Sequence, residues 1–393
     1  MTAALLALFA CADQIDTPDV DTGAPDPAAG PDWVVDCQGG GDFRTVQAAI
    51  DAATSGDSIA LQPCTYPERI DYSAKVLDIY GVEGSAVTFL DGESGGTVVR
   101  VVSGESLDTR LAGVTIQGGQ NAGQGSAIMV YQSSLHLEDV VLTGNGEAFA
   151  VLYAGDAVVT ADGLTIAANA TSADGMAIYS SGGGLTLDHA SVDCDGGLYG
   201  IYQHNAATID HSSFRCGGGV AFYSHHGELR ARRSSFVGGT AGLLAEESSP
   251  DDTSQRVLLS NIFASGATAL DIRHLTMELT NSVLAGANVG LNLVSVNPYS
   301  FLWNSIVLNS ACGVQGDGGS LTVYYTNFWN NTADTCSVTA DVPYAADPLF
   351  INFPDDLTLG AGSPMIDAGE PTWFDLDGSR SDVGVFGGPG GSW

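Results

Sequence analysis

The run AIYSSGGGLTLDHASV (177–192), GIYQHNAATIDHSSF (200–214), AFYSHHGELRARRSSF (221–236) repeats one pattern three times. Tyr179, Tyr202 and Tyr223 recur at 23 and 21 residues, and Asp188-His189, Asp210-His211 and Arg232-Arg233 at 22 and 22. A period of that size is the mark of a stacked repeat. Each copy holds short runs of Ile, Val, Leu, Phe and Tyr between Gly, Ser, Asn and Asp, which reads as strands and turns. The likeness lies one whole repeat apart, so equivalent strands pair in parallel and the chain winds as a coil.

Outward from that stretch, composition agrees with one long solenoid domain in 393 residues, since a stacked core need not divide. Gly is 51 of 393, and 46 acids face 12 Lys and Arg, a formal charge of −34. Such a surface repels phosphate, which excludes nucleic acid and anionic membranes as general partners. The expected state is a monomer.

The opening MTAALLALFAC resembles the lipobox of bacterial lipoproteins, with Cys11 as the lipidated residue. Residues 1–11 are read as the signal, and the Pro/Asp/Ala/Gly-rich 12–32 as a disordered tether. Export to a cell surface or medium follows, with contact to the membrane only through the lipid. The other six cysteines fall as Cys37/Cys64, Cys194/Cys216 and Cys312/Cys336. The middle pair is one repeat apart, and parallel strands about 4.8 Å apart place such a pair within disulfide reach. Three local disulfides in an oxidising compartment are expected.

Val46, Ile50 and Ala53 mark one face of a short helix from about Thr45 to Ser55-Gly56, placed to close the open end of the coil. The run GDFRTVQAAIDAA, then TYPE at 65–68, Lys75 and Gly81, is similar to the opening of pectin methylesterases and others of the pectate-lyase-like superfamily. That resemblance implies a right-handed parallel β-helix, all-β, spanning 33–343. The esterase's own catalytic motifs are not recognisable downstream.

Turns ahead of each anchor strand fall at Gly113, Asp139, Gly163, His189, His211, Arg233, Asn261, Asn281, Asn304 and Thr326, at intervals of 20 to 28. With one or two coils before Gly113, the reading is about 10–12 coils of three short strands each. After residue 236 a slip of the register by one residue is expected, where SNIF, TNSV and WNSI replace HSSF. Stacked Asn at this place resembles the asparagine ladder of right-handed β-helices. The tail, 344–393, breaks the period; its DPLF, GSPMIDAG and DLDGSR resemble the closing segment of secreted bacterial β-helix proteins, and it is expected to be an irregular C-terminal cap. Asp375, Asp377 and Asp382, with Gly378 for the turn, have the oxygen-rich spacing of a Ca²⁺ loop. No other cofactor is implied.

No high-specificity catalytic motif occurs, so chemistry must come from residues stacked outside the rod. Alternation places Met129, Leu152, Tyr179, Tyr202, Tyr223, Leu244, Asp271, Asn292 and Gln315 in one outward row, and Ser181, His204, His225, Glu246 and Arg273 two residues on. An aromatic stripe flanked by ionisable groups suits a sugar polymer, although stacked Tyr also simply shields a sheet. His189 and His211 read as structural members of the turn ladder. His226-Gly227 resembles the HG element of polygalacturonases, without that family's aspartate motifs. Arg215, Arg230, Arg232, Arg233, Arg256 and Arg273 gather half of the basic residues and suggest a landing site for acidic polysaccharide.

Two functional classes follow. One is an enzyme on acidic polysaccharide, a lyase ahead of a hydrolase, with His225 or Tyr223 as base, Arg230, Arg232 or Arg273 on the uronate, and Glu246 as a carboxylate of the site. Tyr179, Tyr202, His204, Arg230, Arg232 and Arg233 would bind the glycan. The other is a non-catalytic adhesive or structural envelope protein.

Overall fold

In a computed structural model the chain forms the expected parallel solenoid. It describes residues 30–392 other than 147, 195, 249–254, 296–298, 319–320 and 341. The Cys11 lipobox and nearly all of the tether lie outside the described residues; Asp32 is already bound to Ser58, its carboxylate accepting from that residue's main chain at 2.8 Å. Among the described residues no helix is long and apolar enough to cross a membrane.

Each coil contributes one strand to each of three parallel faces. Face A stacks Ile70, Val99, Ile128, Leu152, Ile178, Ile201, Phe222, Leu243, Leu270, Leu291, Val314 and Thr335 in register. Face B stacks Ile59, Ile79, Leu111, Leu137, Ala161, Leu187, Ile209, Ala231, Leu259, Leu279, Leu302 and Val323, with Trp33 ahead of them. Face C stacks Tyr66, Leu90, Ile116, Leu142, Ile166, Val192, Phe214, Phe236, Ala264, Leu284, Val307 and Phe328. Alternation along each strand turns these rows inward, and they form one continuous core. Face B has thirteen rungs among the described residues, one more than the upper expectation. The extra coil begins at Trp33–Val35, a strand hidden in the sequence because it precedes the helix.

That helix, α1 (Val46–Ala52), buries Val46, Ala49 and Ile50 against the end of the core. Thr45 makes no side-chain cap; instead Glu68 accepts from the Val46 and Gln47 main-chain N–H groups at 2.7 and 2.9 Å. A carboxylate there satisfies two orphan donors at the positive end of the helix. All three disulfides are formed: Cys37–Cys64, Cys194–Cys216 and Cys312–Cys336. They fit an oxidising compartment.

The turn between faces B and C is fixed by one left-handed residue per coil. Gly113, Asp139, Gly163, His189, His211, Arg233, Asn261, Asn281 and Asn304 all have φ between +41° and +72°, as expected, and the last member is Tyr325 rather than Thr326. Following it, Ser212, Ser234, Ser282, Ser305 and Thr326 form a buried hydroxyl ladder, each oxygen accepting from the main chain of the preceding coil at 3.0 to 3.4 Å. Asparagine pairing from coil to coil occurs elsewhere, at Asn145 and Asn169.

Asn261, Asn281 and Asn304 bond to the C-terminal segment instead of to one another. Residues 337–340 pack Val338 and Ala340 on the end of the core. The chain then turns back along the outer side of face C as a strap. Asn327 holds Ala346, Asn304 holds Glu370 and Ser381, Asn281 holds Ser381 and Asp382, and Asn261 holds Val385 and Gly387. Beneath it the outward residues of face C become Phe263, Val283 and Ile306, covered by Leu357, Met365, Val383 and Val385. The anchor row of face C therefore does not slip after residue 236. Phe263 and Val283 look like displaced anchors because the strap makes the outside of face C a second core.

One aspartate makes the strap sensitive to pH. Burial, with the charges of Asp375, Asp367 and Asp377 added, pushes the Asp382 carboxyl up to about 6 against a hydrogen bond from Asp367. Its folded pKa lies above the unfolded value, so protonation stabilises the fold fully below pH ~4, and that contribution is lost as pH rises through about 6. Asp382→Asn keeps an oxygen for the Asp367 N–H. Its melting temperature should coincide with that of the native protein at pH 4.5 and exceed it at pH 7.5; equal temperatures at both would refute the assignment.

Candidate functional site

The outward side of face A gathers the chemistry. Its first row runs Met129, Tyr153, Tyr179, Tyr202, Tyr223, Leu244, Asp271, Asn292, Gln315. Tyr153 replaces the expected Leu152, which is fully buried inside. Val151 stands in the place that the small Ala177 and Gly200 hold in the next coils, so Ala150 mimics that place in the sequence and the expected phase is one residue early. The second row is as expected: Ser181, His204, His225, Glu246, Arg273.

The tyrosines are stacked on each other along the rod. Ring centroids of Tyr153 and Tyr179 are 5.0 Å apart, and of Tyr179 and Tyr202 5.7 Å, with planes within 17°. Their faces are thus largely taken by neighbouring rings, and edges and hydroxyls are what the surface offers. At Tyr202–Tyr223 the stack breaks to an edge-on contact, and Tyr199 stacks on Tyr223 at 5.2 Å.

At that break the polar groups converge. Tyr223 donates its hydroxyl to Glu246. Arg273 grips Asp271 with two hydrogen bonds of 3.0 and 2.6 Å and reaches Glu246 at 3.6 Å, while Asn292 also donates to Asp271. One strand position further on, His226 adopts φ +60°, which swings its ring back beside His225 and His204. Gly227 makes this turn possible: at φ +83°, a Cβ there would sit 2.2 Å from the Asn205 main chain. His226 Nδ1 bonds to Glu247, which is 7% exposed. Ser248 Oγ lies 3.0 Å from Nε2 of both His225 and His226.

These surroundings set the protonation states. Burial first, then the hydrogen bond to Glu246 and its charge, raises the Tyr223 phenol well above its ordinary value. Tyr223 is therefore a proton donor, which removes it as the expected base. Burial lowers His225, and the neighbouring His226 and His204 lower it further against Glu246 and Glu247, so its imidazole is neutral at pH 7.

The other expected residues lie apart from this site. Arg230 and Arg232 are on face B and Arg233 in the following turn, away from the tyrosine row. Arg232 and Arg233 both bind Asp210, and Arg230 binds Glu228. Arg232 continues in register an acidic ladder of Glu138, Asp162, Asp188 and Asp210, between which His189 and His211 insert with rings 4.9 Å apart. Asp375, Asp377 and Asp382 belong to the strap. Asp375 accepts from the Asp382 and Gly388 main chain, Asp382 from Asp367, and Asp377 from Ser379. The two groups of three side chains whose ligand atoms come within 4.8 Å, among the described residues, are His204/His225/His226 and Asp188/His189/His211, and the three strap aspartates are in neither.

The three stacked faces, the coils and the capping helix make this a parallel β-helix protein. Among solved structures it is similar to the pectate lyase Pel9A, with 14% identity over 88% of this chain and 91% of that one and a TM-score of 0.45. It is also similar to the A-module of the Azotobacter vinelandii mannuronan C-5 epimerase AlgE6, with 14% identity, 77% and 94% coverage and TM-score 0.37. A third is PfbA, a surface adhesin of Streptococcus pneumoniae, with 9% identity, 78% and 90% coverage and TM-score 0.32. No family model and no curated protein matches the sequence.

Proposed function

We propose that face A binds a linear glycan along the rod, from Tyr153 to Arg273. The observation that carries this is the meeting of Tyr223, His225, Glu246 and Arg273 on consecutive coils of one sheet face, at the end of a four-tyrosine rail. A polymer lying there meets equivalent groups every ~4.8 Å, with ring edges for its apolar patches and hydroxyls, carboxylates and imidazoles for its own hydroxyls. The arginines no longer argue for an acidic polymer, because Arg230, Arg232, Arg233, Arg256 and Arg273 each hold an acid partner. A hydroxyl-rich neutral glycan suits the face better. Retention of the protein on immobilised neutral and acidic glycans tests this. Tyr202→Ala with Tyr223→Ala should weaken retention at least ~10-fold while far-UV circular dichroism is kept, the hot-spot loss expected of ~1.4 kcal/mol or more. Unchanged retention would overturn the reading.

A second reading, cleavage, draws on one pair of groups. His225 is held neutral and Tyr223 protonated, with rings 5.9 Å apart. In β-elimination on a uronate, His225 would take the C5 proton, the C4–O bond would break as the C4–C5 double bond forms, and Tyr223 would protonate the departing oxygen. Arg273, which also holds Asp271, would face the uronate. Appearance of unsaturated uronide from pectin or alginate supports this reading, and its absence leaves binding alone.

A further inference from the structure

The three histidines beside the rail have a geometry that glycan binding does not require. His204 and His225 are register partners on adjacent coils. His226 joins them only because its left-handed backbone keeps it from alternating into the core. Ring centroids lie 5.2, 4.8 and 3.9 Å apart, all three rings are half-buried, and one nitrogen of each comes within 4.8 Å of the others.

Two details give the cluster a direction. The nearly buried Glu247 carboxylate binds His226 Nδ1 and the Ser248 main-chain N–H, fixing the ring and leaving Nε2 as the outward lone pair. That Nε2 and the Nε2 of His225 both point at Ser248 Oγ, 3.0 Å from each. A hydroxyl has one proton, so it can donate to only one of two imidazoles. His225 Nδ1 is buried without a hydrogen-bond partner. A carboxylate behind a histidine, with imidazole nitrogens converging on one point, is the arrangement that orients metal-ligating rings.

We propose that His204, His225 and His226 bind a divalent first-row transition metal of zinc-like preference, with Glu247 holding His226 and Ser248 beside the open fourth place. Three imidazole nitrogens favour such ions over Ca²⁺ or Mg²⁺, which take oxygen. Tetrahedral Zn–N bonds of about 2.1 Å put ligand nitrogens ~3.4 Å apart, so from within 4.8 Å they must close by up to about 1.4 Å, within reach of side-chain rotation. The ladder group of Asp188, His189 and His211 is a natural control, because it offers two imidazoles in place of three and its His189 is exposed. This site shares His225 with the proposed function but does not rest on it.

The test is calorimetric titration of the chelator-treated full chain with Zn²⁺ and, separately, Ca²⁺, with Co²⁺ absorption reporting nitrogen ligation. One Zn²⁺ should bind per chain with micromolar or better affinity, far ahead of Ca²⁺. His204→Ala and His225→Ala should each weaken it at least 100-fold, and Glu247→Gln 10- to 100-fold. His189→Ala with His211→Ala should bind as the native protein does, and each variant's circular dichroism checks its fold. No stoichiometric Zn²⁺ uptake, Ca²⁺ binding as tightly as Zn²⁺, or unchanged affinity in folded His204→Ala would each overturn the proposal, whatever the glycan experiments show.

Discussion

Phe236→Ala is expected to lower the free energy of unfolding by about 3–5 kcal/mol. Its ring is fully buried, stacked on Phe214 at 5.2 Å and edge-on to Phe222 at 5.8 Å. The next residue of its row is Ala264, so no large neighbour can lean into the space left behind. Coils contact only their neighbours, so the damage concentrates at the junction between the Phe214 and Ala264 coils. Denaturant unfolding should show the loss, and hydrogen exchange should show amides of those two coils opening first. Phe236→Leu, which keeps most of the volume, should cost under about 1.5 kcal/mol. A loss under 1 kcal/mol in Phe236→Ala would mean that the core is not packed as described.

The period that begins at Tyr179, Tyr202 and Tyr223 carries most of the fold, because parallel stacking forces equivalent residues into equivalent places. It places His204, His225, Glu246 and Arg273 in one row and the middle disulfide between neighbouring coils. Two kinds of information lie outside a period. One is a local exchange within a coil: Val151 takes the small residue's place and Ala150 mimics it, which hides Tyr153, although the tyrosine itself is plain in the sequence. The other is long-range partnership. Arg232 and Arg233 look like free cations when counted along the chain, yet Asp210, one coil back, takes both. The convergence of His226 on His204 depends on a backbone twist, and its only sequence trace is the glycine that follows it. The strap leaves a trace as well: outward Phe263, Val283 and Ile306 are apolar where earlier coils have Ser191, Ser213 and Ser235. Apolar residues at an outward position require a cover, and a non-periodic tail is the nearest supply.

Asn304→Ala should release that cover at a cost of about 3 kcal/mol. Asn304 is fully buried at φ +49°, accepts from Glu370 at 2.9 Å and donates to Ser381 at 3.2 Å. Alanine strands the Glu370 N–H, at about 1–3 kcal/mol for an unmade hydrogen bond, while Ser381 keeps its bond from Asn281, and it adds about 1 kcal/mol for the left-handed backbone. The solenoid beneath keeps its own ladders, so the two layers should come apart in hydrogen exchange. Amides of the strap, such as Gly369 and Val383, should lose protection, while those of Leu284 and Val307 keep theirs. Uncovering Phe263, Val283 and Ile306 also exposes a contiguous apolar patch, which should bind a hydrophobic dye and promote association. Asn330→Ala is the matched control: Asn330 has φ +56° but is exposed, and its side chain donates to Asn309 rather than to the strap. If the two variants lose equal stability, backbone strain alone explains the asparagines and the strap is not fastened through them; a gap of about 2 kcal/mol shows that these side chains hold the C-terminal segment to face C.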